Sequence, residues 1–183
     1  MAYNFGPFKQ NIKGMEDWLK REFSSIRTGR ATPAILDGLK ADAYGSPMPL
    51  NQLANIAIED ARTLRLTPWD ISQMKVIEKS IIISDLGLSV SVDEKGMRII
   101  FPELTSDRRE ALIKIAKQKL EEARITIRNE REKVVRDIEN QEKSGKISED
   151  ERFRLKTELQ KMVDDSAEEL GKMLIKKEKE ISE

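Results

Sequence analysis

From Thr105 to about Glu142 the chain contains neither proline nor glycine. At about 1.5 Å of rise per residue such a run spells one helix of roughly 55 Å. Thr105, Ser106 and Asp107, following Pro102, offer side-chain oxygens to the free amides of its first turn. Asp107 also places negative charge near the positive end of the helix dipole. Winding the run at about 100° per residue puts Leu112, Ala116, Leu120, Ala123, Ile127, Val134 and Ile138 on one stripe. Steps of mostly four and three are those of a bundle or coiled-coil seam. Beside that seam Lys114, Lys117, Arg124, Arg128 and Arg131 share an arc of roughly 100°.

Two more stretches carry the same rhythm. Phe8, Ile12, Met15, Leu19, Phe23 and Ile26 predict a helix from about Pro7 to Ile26, weakened by Gly14 by about 1 kcal/mol. It should stop at Arg27-Thr28-Gly29-Arg30, with Gly29 as a left-handed C-terminal cap and Pro33 preventing its resumption. Ser148-Glu149-Asp150-Glu151 is a capping box, preceded by a reversal at Lys143-Ser144-Gly145-Lys146. Beyond it Leu155, Leu159, Met162, Ser166, Leu170, Met173 and Lys177 keep a heptad-like spacing, with Val163, Ala167 and Leu174 alongside. Three long amphipathic helices with a short last turn predict an antiparallel three-helix bundle.

Between Ala31 and Glu103 the texture changes. Leu39–Tyr44 reads as a strand, then a Gly45-Ser46-Pro47 turn, then strands at Leu53–Ile58 and Leu64–Thr67. Met74–Ser84 reads as a short helix with Val76, Ile77, Ile81 and Ile82 inward and Gly87 beyond its end. Ser89–Val92 and Met97–Phe101, joined by Asp93-Glu94-Lys95-Gly96, form a hairpin. The chain is thus α+β: residues 1–30 and 105–183 make the bundle, and residues 31–104 form an inserted β/α/β domain. The two crossings, Arg27–Thr32 and Pro102–Ser106, then run together as a double-stranded hinge.

Composition narrows the chemistry. The chain has 33 basic and 33 acidic side chains, so net charge names no partner. Residues 1–30 hold six basic and three acidic side chains, residues 31–104 seven and ten, and the remainder twenty and twenty. Affinity for nucleic acid must therefore come from a local stripe on the helices. Without any Cys there is no disulfide, thiolate metal site or Cys nucleophile. Without any His the commonest general base and nitrogen ligand are missing as well. No signal pattern opens the chain and no apolar run reaches about 18 residues, so a cytoplasmic protein without a membrane partner, cofactor or metal is expected.

The basic line beside the seam admits two readings. It is a solvated face paired with Glu121, Glu122, Glu130 and Glu132, or it is an edge that meets phosphate. Arg124, Arg128 and Arg131 favour the second, since a planar guanidinium suits phosphate and base stacking better than an ammonium. Arg131 stands where the seam wants something apolar, and a long stem can cover the core while the head stays outside. Arg27 and Arg30 either cap a helix end or make a second anion contact. Asp164, Asp165, Glu168 and Glu169 read as a solvated face, and Trp18 and Trp69 as packing residues. No phosphate loop, nucleophile elbow or zinc spacing occurs. A hinged binding protein is expected, with a helical protein-interaction adaptor that ignores RNA as the alternative.

Several stretches resemble one family. Arg27-Thr28-Gly29-Arg30-Ala31 with Pro33, Leu36-Asp37, Tyr44-Gly45, Pro49-Leu50-Asn51-Gln52-Leu53-Ala54, Asp85-Leu86-Gly87-Leu88 and Pro102-Glu103-Leu104-Thr105 are similar to the bacterial ribosome recycling factors. Arg108-Arg109, Ala123-Arg124, Arg128-Asn129 with Arg131, and Ser148-Glu149-Asp150 continue the likeness almost to the end. The resemblance implies a three-helix bundle with a small domain on a two-stranded hinge, L-shaped and tRNA-like in size. It implies a monomeric translation factor without enzymatic activity that binds post-termination ribosomes at the tRNA sites of the large subunit. With elongation factor G and GTP it would split them into subunits. Carried over by position, it implies rRNA contacts at Arg128 and Arg131, then Arg30, with Arg124 and Arg27 weaker. The basic line adds Lys117 and Lys114, and the hinge falls on Thr28, Gly29, Arg30, Ala31, Leu104, Thr105 and Ser106. Where the family often has another basic residue this chain has Glu132, which implies a weaker or more salt-sensitive contact. The first seven residues match poorly and carry no assigned role.

Overall fold

A computed structural model describes residues 3–84 and 86–182. Met1, Ala2, Glu183 and the Asp85 of the Asp85-Leu86-Gly87-Leu88 stretch lie outside the described residues. The chain forms two compact units, one running to Phe23 and resuming over Lys114–Glu178, the other spanning Ser24–Ile113 with the chain from Lys179.

The first unit is built on α1 (Gly6–Ser25), α4 (Ser106–Lys143) and α5 (Glu149–Ser182). Cross-helix bonds fix their directions. Tyr3 donates to Asp137 at 2.7 Å, Asn11 to Glu130 at 2.9 Å, and Lys119 pairs with Glu22 at 3.1 Å. Advancing along α1 thus means retreating along α4. In the same way Lys117 meets Glu178, Arg131 meets Gln160, Lys156 meets Glu139 and Arg152 meets Glu142, so α5 runs antiparallel to α4. Along the seam Ala116, Leu120, Ala123, Ile127 and Ile138 are buried on α4, and Leu155, Leu159, Ser166 and Leu170 on α5. The chain before α1 also docks: Phe5 is buried and stacks obliquely with Tyr3 at 4.9 Å between ring centroids.

The helix ends follow sequence chemistry. Thr105 Oγ1 accepts from the Arg108 amide at 3.3 Å, and Ser148 Oγ from Glu151 at 3.2 Å. The Glu151 carboxylate pairs with Arg154 at 3.5 Å. At the far end of α4, Gly145 N donates to Glu142 O and Lys146 N to Gln141 O at 2.8 and 2.9 Å. These two bonds with φ +72° at Gly145 make a Schellman closure. At α1 the expectation fails. The helix ends at Ser25, and Gly29 is not among the left-handed glycines, which are Gly45, Gly87 and Gly145 among the described residues. Side-chain bonds made by Arg27 and Thr28 hold that segment instead.

The second unit holds a two-stranded sheet, β1 (Lys40–Ala43) with β2 (Ser46–Pro49), and a four-stranded one. The latter orders β3 (Ala54–Asp60), β4 (Thr63–Pro68), β6 (Gly96–Ile100) and β5 (Ser89–Asp93), all antiparallel. A single helical turn, α2 (Leu50–Leu53), enters β3, and α3 (Met74–Ile83) crosses between β4 and β5. Leu36, Leu50, Leu64, Leu66, Ile77, Ile81, Met97, Ile99 and Phe101 close the core.

Three expectations are corrected here. The hairpin turn is Tyr44-Gly45, not Gly45-Ser46-Pro47, and Ser46–Pro49 is strand. Both turn residues are left-handed (φ +53° and +79°), a conformation a tyrosine rarely takes, and Tyr44 is tied down by donating to Asp70 at 2.8 Å. Pro47 and Pro49 are tolerated because, among the described residues, β2 pairs with β1 alone in a two-stranded sheet. Ile82 faces outward at 60% exposure, since α3 buries the faces of Ile77 and Ile81. Trp69 is exposed as well, at 71%, whereas Trp18 is half-buried with the Lys119 ammonium 5.6 Å from its ring centre.

Candidate nucleic-acid interface

The basic line of α4 meets α5 along a groove of about 420 Å³. From α4 it is walled by Arg124, Ile127, Arg128, Arg131 and Glu132. From α5 it is walled by Gln160, Val163, Ser166, Ala167 and Leu170. The floor is apolar because Ile127 and Leu170 are seam residues, and the opening exists because Ser166 and Ala167 are small. Arg124 and Arg128 are exposed and Arg131 is half-buried.

Their partners differ. Arg124 lies 3.9 Å from Glu121, a loose surface pair, and Arg128 has no ion-pair partner among the described residues. Arg131 donates Nε to Gln160 Oε1 at 3.0 Å, and Gln160 Nε2 in turn donates to Asp164 Oδ1 at 2.8 Å. That relay orients the Arg131 guanidinium toward the α5 wall. Glu132, the carboxylate at the rim, sits 3.8 Å from Arg136 one turn on. Lys114 and Lys117 are exposed further up α4 and line no part of this groove; Lys117 pairs with Glu178 at 3.3 Å.

Arg27 and Arg30 belong to the second unit, and their environments are opposite. Arg30 is exposed, beside a concavity of about 470 Å³ with Thr28, Gly29, Thr32, Ala61 and Arg62. Arg27 is only 5% exposed. Its Nη1 donates to the carbonyls of Leu86 and Gly87, each at 2.8 Å, its Nη2 to that of Pro102, and the guanidinium lies 5.8 Å from the Phe101 ring centre. Burial, with the Arg108 charge added, lowers its pKa, yet a guanidinium stays protonated. Arg27 is spent on binding this unit to itself.

The connecting segments are pinned to one turn. Ala31 N donates to Ala61 O at 2.9 Å and Phe101 N to Arg62 O at 2.8 Å, while Arg62 pairs with Glu103 at 2.8 Å. Ala31 and Leu104 are buried, Thr28 Oγ1 accepts from Arg30 N, and Thr105 and Ser106 open α4. The acidic stretch of α5 is exposed, with Glu168 and Glu169 both on Lys172 at 2.8 Å. No group of described residues could hold a metal ion, and no described helix is long and apolar enough to cross a membrane. Reading α4 alone finds the arginines but not the α5 wall; the small Ser166 in the α5 seam and Ala167 beside it were its only trace.

A bundle with an arginine-rimmed groove and a small α+β unit inserted in its chain defines a binding factor. The model of the family described as ribosome recycling factor matches residues 19–181. The ribosome-recycling factor of Desulforamulus reducens is 44% identical over 173 residues, covering 94% of each chain. That of Thermotoga petrophila is 42% identical over 175 residues, covering 96% of this chain and 95% of its own. The solution structure of a ribosome recycling factor aligns over 100% of this chain and 99% of its own, with a TM-score of 0.72 and 32% identity. A model of the T. thermophilus factor, bound with E. coli elongation factor G to the E. coli post-termination complex, aligns over 97% of this chain and 96% of its own. Its TM-score is 0.66 and its identity 37%. The chain belongs to the ribosome recycling factor family, which makes it a non-enzymatic translation factor.

Proposed function

We propose that this chain binds post-termination ribosomes and, together with elongation factor G and GTP, splits them into subunits for a new round of initiation. One observation carries the anchoring half of this reading: Arg124, Arg128 and Arg131 converge on a single groove of the bundle. Guanidinium groups on one face meet rRNA phosphates at the tRNA sites of the large subunit, with Arg30 as a further contact and Lys117 and Lys114 extending the line. Arg27 is left out of the contact set because its donors are on carbonyls. The relative bound beside elongation factor G on a post-termination complex supports the choice of partners.

The action is mechanical. Residues 1–30 with 105–183 hold the ribosome, and residues 31–104 present a surface to the GTPase. Thr28, Gly29, Arg30 and Ala31, with Leu104, Thr105 and Ser106, form the hinge where the two connecting strands bend. The GTPase hydrolyses GTP, and the factor itself, a cytoplasmic monomer, makes and breaks no covalent bond. Co-sedimentation with intact ribosomes and isolated large subunits across a salt series tests this. The expected result is binding to both that weakens with salt, followed by splitting when elongation factor G and GTP are added. Absence of binding at low salt would overturn it.

A further inference from the structure

We infer that the groove between α4 and α5 takes an unstacked nucleobase of the bound RNA, with the flanking phosphates held by the arginines at its rim. The inference rests on the ribosome-binding reading above and adds a ligand subsite to it. Phosphate contact alone needs only exposed cations on a convex helix face. Here the cations stand around an apolar depression whose floor is Ile127, Val163 and Leu170. A volume of about 420 Å³ lies at the small end of the range for ligand clefts. It suits one base with its sugar, and the three arginines among its lining residues favour an anionic, planar guest over a peptide.

The arginines are arranged for a planar guest. Arg131 is oriented toward α5 by its bond to Gln160, which is in turn bonded to Asp164, so its guanidinium is directed before any ligand arrives. A guanidinium so directed can stack on a base and still bond a phosphate at its edge, and single-stranded bases in RNA are commonly held this way. The side-chain amide of Gln160 keeps a second N–H and a second lone pair at the rim for a base edge. Ala167, exposed on α5, leaves the opening that a larger side chain would close.

The test fills the groove without touching its charge. Ala167→Leu keeps a strong helix former at an exposed position, and circular dichroism checks that the variant folds. Binding of full-length protein to intact ribosomes is measured over a salt series. The Watson–Crick edges of rRNA are probed with dimethyl sulfate and a carbodiimide at saturating protein. Ala167→Leu is expected to weaken binding on the order of tenfold, the scale of one lost base stack, with the salt slope unchanged. At least one unpaired base protected by the wild type should become reactive again. Wild-type affinity and an unchanged footprint in Ala167→Leu overturn the base site while leaving the phosphate anchor standing. Weakened binding with no base protected in either complex assigns the groove to a protein segment and also overturns it. If Arg128→Ala with Arg131→Ala binds as well as wild type, the anchor reading itself fails and takes this inference with it.

Discussion

A Cβ built on Gly87 would lie 3.1 Å from Arg27 Nη1, the atom that donates to the carbonyls of Leu86 and Gly87. Two demands thus meet at Gly87. Its φ of +62° suits glycine, and its missing side chain leaves room for the buried guanidinium. Gly145 makes the first demand without the second, since φ is +72° and nothing lies within 4 Å of its would-be Cβ. Gly145→Ala should therefore cost about 1 kcal/mol, the cost of a left-handed backbone alone. Gly87→Ala should cost more, about 2 kcal/mol, because Arg27 must also shift. Urea denaturation of both variants checks the order; equal losses would show that Arg27 accommodates the methyl group freely.

Arg27 itself ties the loop after α3 and the chain leaving β6 to the segment that follows α1 within the second unit. Arg27→Ala would leave three carbonyls without their donor, a loss of about 3 kcal/mol. Arg27→Lys keeps the charge but not the fork, and should recover less than half of that. Hydrogen exchange should show the loss as faster opening around Leu86–Leu88 and Phe101–Leu104. Ribosome binding by the folded Arg27→Lys protein is expected to stay within about threefold of wild type, since a change of several tenths of a kcal/mol is the scale of an indirect effect.

The split between what was legible and what was not follows the reach of each interaction. The three helices were legible because a seam repeated every three or four residues is written locally, and the caps at Thr105, Ser148 and Gly145 lie within one turn of their partners. The β5–β6 hairpin was legible for the same reason. The Tyr44-Gly45 turn was not, because its tyrosine takes a conformation that propensity argues against and is held by Asp70, 26 residues away. Nor was the end of α1, where Gly29 looked like a cap while Arg27 was reaching 59 residues ahead to Leu86. The groove was half legible. Its arginines share one helix, but the wall that makes them a site comes from α5, and only folding brings Gln160 to Arg131.

Asp93 supplies a pH test of the second unit. It accepts from Arg65, at 2.7 Å for the Nη2–Oδ1 contact, and from the Lys95 amide at 2.9 Å, and Arg98 lies 3.6 Å away. Arg65 first, then the amide, hold its carboxyl well below the usual carboxylate range. A depressed folded-state pKa contributes stability above the ordinary value of about 4 and loses it as pH falls through the lowered one. Asp93→Asn, which removes the charge with little change of shape, should lower the melting temperature at pH 7 and have progressively less effect below pH about 4. Parallel melting curves for variant and wild type at every pH would mean that the cluster contributes through shape rather than charge.

The arginine groove makes its own prediction about salt. Each phosphate neutralised by the protein contributes close to one unit to the slope of log affinity against log salt. Arg128, exposed and without an ion-pair partner among the described residues, is the rim cation best placed to make such a contact in full. Arg128→Ala should therefore flatten the slope by about 1 and weaken binding at every salt concentration. Arg131 combines charge with a directed guanidinium, so Gln160→Leu, which frees the guanidinium and keeps the charge, should weaken binding while leaving the slope unchanged. Glu132 works in the opposite direction. It places a negative charge on the same rim, and its pairing with Arg136 at 3.8 Å is a surface contact of little strength. Glu132→Lys should tighten ribosome binding at low salt and steepen the slope by about 1. A slope unaltered by both Arg128→Ala and Glu132→Lys would move the phosphate contacts off this rim altogether.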